Sequence, residues 1–385
     1  MTVFASGGFH GLAYCTESAF GTPSTVTMIA LRHTSCGLAL AKETFQSAEL
    51  RSDRQISDFR HGNQKPAGNI GFELSFAEFD TFLEAALGGT WQAAYSKAST
   101  NWAAGKTANI FYGTTVTHTM VTGDVISVTG FTGTAAIAAL NKVHVISAHA
   151  PHTLTISGTT LVTKAAGATV TVTKCPSLLA GTTQRSFAIE RTFTDITKYQ
   201  QFKGCVINTV SLSVKPNAIV TGEFGILAKG ALSTSTPWDS TPTAVTSNTP
   251  YDSFTGAIKE GGAAIAYVTA IDLSLDNGGT PTYVIGDDET PAIPLGRSNV
   301  TGSMDVYFAD LTMLRKFENE TRSSIEFYLG SGVAGGKSYR FYMDNVKYGT
   351  GDNPATDESP IVLKMSYQSL YSTTDRSNLR ITKIT

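Results

Sequence analysis

The sequence predicts a mainly β protein, a sandwich or barrel with flanking α-helices, internally duplicated and interrupted by a small inserted all-β domain. Three observations lead there. Charged residues are only 16% of the 385 while Thr, Ser and Gly abound, which favours strands and short polar turns over helical bundles. Residues 48–90 read as a long polar loop, a short alternating strand and an amphipathic helix, and residues 299–320 repeat the strand and helix. Between these units, residues 116–173 turn to Thr, Val and Gly punctuated by turn residues, the texture of a separate small β-domain.

In the first unit the strand spans residues 71–76, with Phe72, Leu74 and Phe76 on one face and Glu73 and Ser75 on the other. From Glu78 the period becomes helical. Phe79, Phe82, Leu83, Ala86 and Leu87 form one apolar stripe, and Gly88-Gly89 supplies a left-handed C-cap. Residues 304–311 align with residues 72–79, keeping the period-two strand, the alanine and an acidic residue at the N-cap position. Val306, Phe308, Leu311 and Leu314 are therefore expected to join the core with the first stripe. Residues 220–227 echo the same strand without a helix.

The remaining elements follow in chain order. Residues 1–30, with Gly7, Gly8, Gly11, Gly21 and Pro23, suit an extended arm with little packing. A first strand is expected at 36–44, followed by the long loop. Residues 92–110 read as a small-residue linker, and strands at 125–128, 142–147, 153–157 and 169–173 build the inserted domain. From about residue 180 the first texture resumes, with a strand at 185–195, a turn or short helical segment at 198–204, and a strand pair 206–214 and 220–228 about Lys215-Pro216-Asn217. Residues 234–249 form a Pro-containing linker, residues 262–330 hold the second unit with its loop at 276–298, and strands at 338–347, 360–370 and 378–384 close the chain. The expected division places residues 1–104 as the opening segment of the main domain, residues 105–175 as the insert, and residues 176–385 as the closing segment of the main domain.

Composition excludes several function classes. The formal net charge is −2 and no run of Lys or Arg forms a phosphate-neutralising stripe, so any contact with DNA is expected to be non-adhesive. No stretch of about 18 apolar residues and no leader pattern occurs, so a soluble protein made in a cytoplasm is expected. Cys15, Cys36, Cys175 and Cys205 lack metal-site spacing and read as reduced, mostly buried thiols. His144, His149 and His152 lie close together on predicted strands, but without an acidic or cysteine partner they read as surface polar residues rather than ligands.

Residues 330–338 look like a phosphate-binding loop, yet position 331 is Ser where glycine is needed, and an alternating strand follows instead of a helix. A glycine-rich hairpin is the better reading. Asp287-Asp288-Glu289 lacks calcium-loop spacing and reads as a solvated loop. No catalytic constellation, cofactor site or metal site is expected. The most informative polar segment is residues 51–65, where Arg51, Asp53, Arg54, Asp58 and Arg60 alternate in sign. The plain reading is an exposed loop with internal ion pairs; the functional one is an interlocking arm whose mixed charges fix the register of a neighbour, and this second reading is favoured.

Residues 50–55, 68–76 and 79–87 together resemble the major tail tube proteins of long, flexible, non-contractile-tailed bacteriophages. Glu17-Ser18-Ala19-Phe20-Gly21-Thr22 is similar to an arm motif of that family, and residues 361–371 with 379–384 to its closing strands. The resemblance implies a tail-tube-type β-sandwich that assembles as hexameric rings stacked into a hollow virion tube for genome delivery, with the insert on the outer surface. It also implies tape measure, terminator and distal tail proteins as partners, DNA only as non-specific cargo in the lumen, no membrane, and assembly in the host bacterial cytoplasm. The alternative function is a virion decoration protein or adhesin that holds host surface glycan through the inserted domain.

Overall fold

The strand Lys198–Val214 joins the two sheets of the body. In the computed structural model, which describes residues 4–23, 27–113, 115–253, 256–265, 267–330, 336–355 and 358–385, its first half pairs with Phe187–Phe193 and Gly230–Thr234. Its second half pairs with Thr221–Leu227 and Val268–Asp276. The change of partners falls near Gly204, at φ +63°, where a Cβ would lie 2.5 Å from Lys229 Cβ and 3.0 Å from the Phe20 ring. Only glycine fits there, and the bend lets one strand serve two sheets.

The first sheet continues from Phe187–Phe193 to His10–Ala19 and Ile29–Ala30. The second runs from Ser35–Cys36 through Ala67–Glu73 and Thr221–Leu227 to the second half of the long strand. It then continues through Val268–Asp276, Asn299–Tyr307, Val362–Ser369 and Ser338–Tyr348. The strand Ser323–Leu329 and the C-terminal Arg380–Ile384 both pair with Ser338–Tyr348. The protein is thus mainly β, as the composition predicts.

Helix α1 (Asp80–Leu87) packs between the sheets by the stripe that its spacing predicts: Phe82, Leu83, Ala86 and Leu87 are all buried. Phe82 stacks on Phe187 with centroids 4.9 Å apart, meets Tyr14 edge-on at 4.8 Å and lies 5.2 Å from Phe224. Gly88, at φ +62°, is the left-handed C-cap. The N-cap is Phe79 rather than the acidic residue, because the Glu78 carboxylate instead accepts hydrogen bonds from the backbone and hydroxyl of Thr246, at 2.9 and 2.6 Å.

The insert forms its own sheet of seven strands, ordered Tyr95–Ser99, Val170–Lys174, Val125–Thr129, Val143–Ala150, Thr153–Ser157, Ile110–Tyr112 and Ala103–Gly105. It has its own core, with Trp102, Phe111, Ile126, Leu154 and Val172, and a single-turn helix α2 (Ala135–Ala138). The chain enters and leaves side by side, since Gln92 N–H donates to Ser177 O at 2.8 Å. A buried ionic contact fastens it to the body: Arg380 pairs with Asp375 at 2.7 Å and Asp124 at 3.8 Å and donates to Gly123 O at 2.7 Å, while Lys174 reaches Asp124 at 3.0 Å. Helix α3 (Thr312–Glu318) follows Asn299–Tyr307 as the repeat predicts. None of its residues is buried; Met313, Leu314 and Phe317 lean on the core, Phe308 is partly buried, and Leu311 is 47% exposed rather than a core residue.

Four sequence expectations need correction. Residues 10–19 are a strand of the first sheet, not a loose arm. Leu12 and Tyr14 pack in the main core while Ala13 and Cys15 pack against Met28 and Ala188, so both faces are covered and no alternation shows. The expected strand at 36–44 is two short ones, Ser35–Cys36 on the body and Lys42–Gln46 in a separate hairpin with Phe59–Gln64. Residues 92–110 are not a linker: they contribute the strands Tyr95–Ser99 and Ala103–Gly105 and the start of Ile110–Tyr112 to the insert, with Trp102 and Ala104 buried in its core. Residues 198–204 are strand, held by neighbours on both sides that the polar local sequence does not announce.

Candidate functional site

The second sheet has one face on the core and one open. Along Val268–Asp276, Ile271, Leu273 and Leu275 are buried while Asp272 and Ser274 point away, and along Asn299–Tyr307 Val300, Met304 and Val306 alternate with Thr301, Ser303 and Asp305. The registers align the outward residues into rows across the strands. Gly71 stands opposite Glu223, Glu223 opposite Ser211, Ser211 opposite Ser274, Ser274 opposite Thr301, and Thr301 opposite Gln368. A parallel row runs Glu73, Thr221, Ser213, Asp272, Ser303 and Ser366. The short side chains leave a trough of about 990 Å³ along this face.

Its electrostatics are acidic. Glu73, Glu223, Asp272, Asp276 and Asp305 lie on the outward positions against Lys364, which is opposite Asp305, and Lys347, which is already bound to Glu320 at 2.9 Å. The polar groups also bond along the rows: Ser303 donates to Asp272 at 3.2 Å, Asn69 to Glu223 at 3.2 Å and Gln368 to Asn299 at 3.0 Å. On the core side, Gly302 leaves room for Tyr367, whose hydroxyl donates to Asp272 O at 2.8 Å; a Cβ there would sit 2.4 Å from the ring. This tight fit keeps the sheet from buckling beneath its polar surface.

From the edge of this sheet, next to Ser35–Cys36, the chain projects as the hairpin Lys42–Gln46 with Phe59–Gln64. The second part of the expected 51–65 loop, Phe59–Gln64, is therefore strand. Its base is fixed by an ion pair between Lys65 and Glu43 and by the loop beyond Asp276: Gln64 N–H donates to Asp288 O at 2.7 Å and Tyr283 donates to Gln64 O at 3.2 Å. The tip carries the charges singled out in the sequence. Arg51 pairs with Asp53 at 2.7 Å and Arg60 with Asp58 at 2.8 Å, all exposed, and Arg54, at φ +60°, has no side-chain partner among the described residues. Between them Phe45, Leu50, Ile56 and Phe59 are 57%, 99%, 63% and 51% exposed. A projecting arm thus leaves four large apolar side chains in water.

The three histidines of the insert that the sequence places close together, His144, His149 and His152, have separate partners. His144 is buried, its Nε2–H donates to Leu140 O at 3.0 Å, and burial lowers its pKa. His149 Nδ1 accepts from Thr122 N–H at 3.1 Å, and His152 Nδ1–H donates to Val116 O at 2.8 Å. Among the described residues no group of three or more His, Cys, Asp or Glu is placed to hold a metal ion, and no helix is long and apolar enough to cross a membrane. The four cysteines are free, with Cys36 only partly buried. Of the glycine-rich segment 330–338, residues 331–335 lie outside the described residues, while Ser323–Leu329 and Ser338–Tyr348 on either side pair antiparallel as a hairpin does.

The open polar face escaped the sequence reading. Alternation such as Ile271-Asp272-Leu273-Ser274-Leu275 was a usable signal, but the rows exist only through pairings between residues far apart in the chain.

The antiparallel sheets of the body thus present one open polar face and a projecting arm. The chain matches the family model described as phage tail tube protein over residues 10–368, and it belongs to that family. It is a structural component of the virion tail. No curated protein matches the chain.

Proposed function

We propose that six copies close into a ring and that rings stack into the tail tube, with the open polar face turned inward around the lumen and the insert outward. The in-register polar face carries this reading. A wall of short Ser, Thr and Gly side chains with a net acidic balance lets a phosphate backbone pass without the counterion release that would hold it. Genome delivery then needs no recognition of sequence, and DNA is non-specific cargo. The hairpin leaves the sheet at its edge, where the next copy in a ring lies, and its tip with Arg51, Asp53, Arg54, Asp58 and Arg60 meets that copy or one in the adjacent ring. Tape measure, terminator and distal tail proteins complete the assembly, which takes place in the host cytoplasm.

Negative-stain microscopy of the purified full chain tests this reading. The expected result is tubes of stacked rings with a central channel. Stable monomers that bind host cells instead would favour an adhesin working through the insert.

A further inference from the structure

The loop between Val268–Asp276 and Asn299–Tyr307 and the opposite ends of the same two strands carry complementary features. The loop folds back on itself, with Thr280 N–H donating to Pro294 O and Thr282 N–H to Ala292 O, both at 3.1 Å. At its tip Val284 is 53% exposed and Ile285 fully exposed, followed by the exposed acids Asp287 and Asp288. Its base is held to the hairpin through Tyr283 and Gln64, so the tip is presented on a fixed stem.

At the other end of the strands, Tyr267 and Tyr307 are paired through their backbones, and Ile361, just before the adjoining strand Val362–Ser369, lies opposite Phe308. Tyr307 N–H donates to Tyr267 O at 3.0 Å and Phe308 N–H to Ile361 O at 2.9 Å, and the Tyr267, Tyr307 and Ile361 side chains are 59%, 44% and 38% exposed. Leu311, 47% exposed, follows, and Arg315 of α3 faces solvent without an ion-pair partner among the described residues. The two ends thus match in both apolar surface and charge. Strands of 9 residues separate them, about 30 Å at the usual rise. One copy cannot place its own loop on its own patch; a second copy displaced along the strands can.

We propose that Val284 and Ile285 of one copy pack on Tyr267 and Tyr307 of the copy stacked on it, with Asp287 facing Arg315. The contact is head to tail, so it repeats without closing and sets the polarity of the stack. It rests on the tube reading and names the contact that would join successive rings. The apolar pair supplies contact area, and the charge pair selects register.

The test uses the purified full chain with I285D, D287K, R315E and the combined D287K/R315E, read by sedimentation, negative-stain microscopy and thermal melting. I285D should melt as wild type does while sedimentable tube falls by about tenfold or more, with single rings persisting. D287K and R315E should each weaken stacking at low salt, and the combined variant should restore it. Wild-type tubes with normal tubes from I285D, or no recovery in the combined variant, overturn this contact and leave the tube reading standing. If wild type itself forms no tubes, the tube reading fails and the contact with it. Should I285D melt early, the charge exchange decides alone.

Discussion

Phe82 is the residue whose truncation best tests how the sandwich is held. It is fully buried and touches both sheets through rings at 4.8 to 5.2 Å: Tyr14 and Phe187 on the first, Phe224 on the second. Replacing a core Phe by Ala costs about 3–5 kcal/mol, the transfer of the ring plus the cavity it leaves. The upper half of that range applies, because the site is walled by sheets that cannot collapse inward and because stacked partners are lost as well. At about 2–4 °C per kcal/mol for a large domain, F82A should lower the melting temperature of the body by roughly 8–20 °C. Calorimetry suits the measurement, since the insert has a separate core and should keep its own transition. An unchanged body transition would refute the reasoning, for it would mean that α1 does not clamp the two sheets.

Other outcomes follow from the same geometry. R380M removes the guanidinium between Asp124 and Asp375, each only a few per cent exposed, and should destabilise the body by about 3–5 kcal/mol in urea titration; an unaltered midpoint would count against that buried network. Deleting residues 95–174 and joining the flanking ends, already adjacent at Gln92 and Ser177, should leave a folded body that still forms tubes, whereas loss of tubes with a normal melt would place the insert in a subunit contact. Burial alone would raise the Glu326 carboxyl, but the charge and hydrogen bond of Arg340, helped by Tyr328 and Lys259, hold it below its ordinary 4.5. Its folded pKa is depressed, so its contribution is present above about pH 4.5 and is lost as pH falls through the folded value, and the acid-side slope of stability should flatten in E326Q. Placing lysines on the open face with E223K and D272K should make assembled tubes retain duplex DNA in a salt-sensitive way, with a slope near 0.9 per phosphate neutralised; retention that ignores salt would argue that this face does not line the channel.

What the sequence made legible was whatever rests on local period. The α1 stripe and its Gly88 cap, the turn at Asn217 (φ +58°), and the strands Val125–Thr129, Thr153–Ser157 and Val170–Lys174 were all readable because one face of each is apolar or one residue must adopt a left-handed conformation. What stayed hidden is set by distant partners. His10–Ala19 is covered on both faces, Lys198–Val214 changes sheets midway, and Leu311 lies outside the core because α3, unlike α1, has no buried residue. The candidate site divides the same way. The mixed charges near residue 51 were visible as types, but their pairing of Arg51 with Asp53 and Arg60 with Asp58, and the apolar residues exposed between them, depend on a hairpin that no short-range pattern specified.

That pairing bears on what the hairpin does. Arg51 with Asp53 and Arg60 with Asp58 satisfy one another across two residues of a solvated tip, so they do not by themselves demand a neighbour. Exposed pairs of this kind exchange partners at little cost, and the charges remain free to choose among registers when another surface arrives. The stronger support for the proposed neighbour is Phe45, Leu50, Ile56 and Phe59, which a monomer leaves in water and whose removal from it would be the larger, non-directional gain. In the proposed contact, apolar area would supply the drive and charge the alignment. The loop 277–298 shows the same separation, with Val284 and Ile285 beside Asp287. The two projections are fastened to each other where the Gln64 backbone and side-chain amides donate to Asp288, so in the proposed assembly a neighbour engaging one would also help position the other.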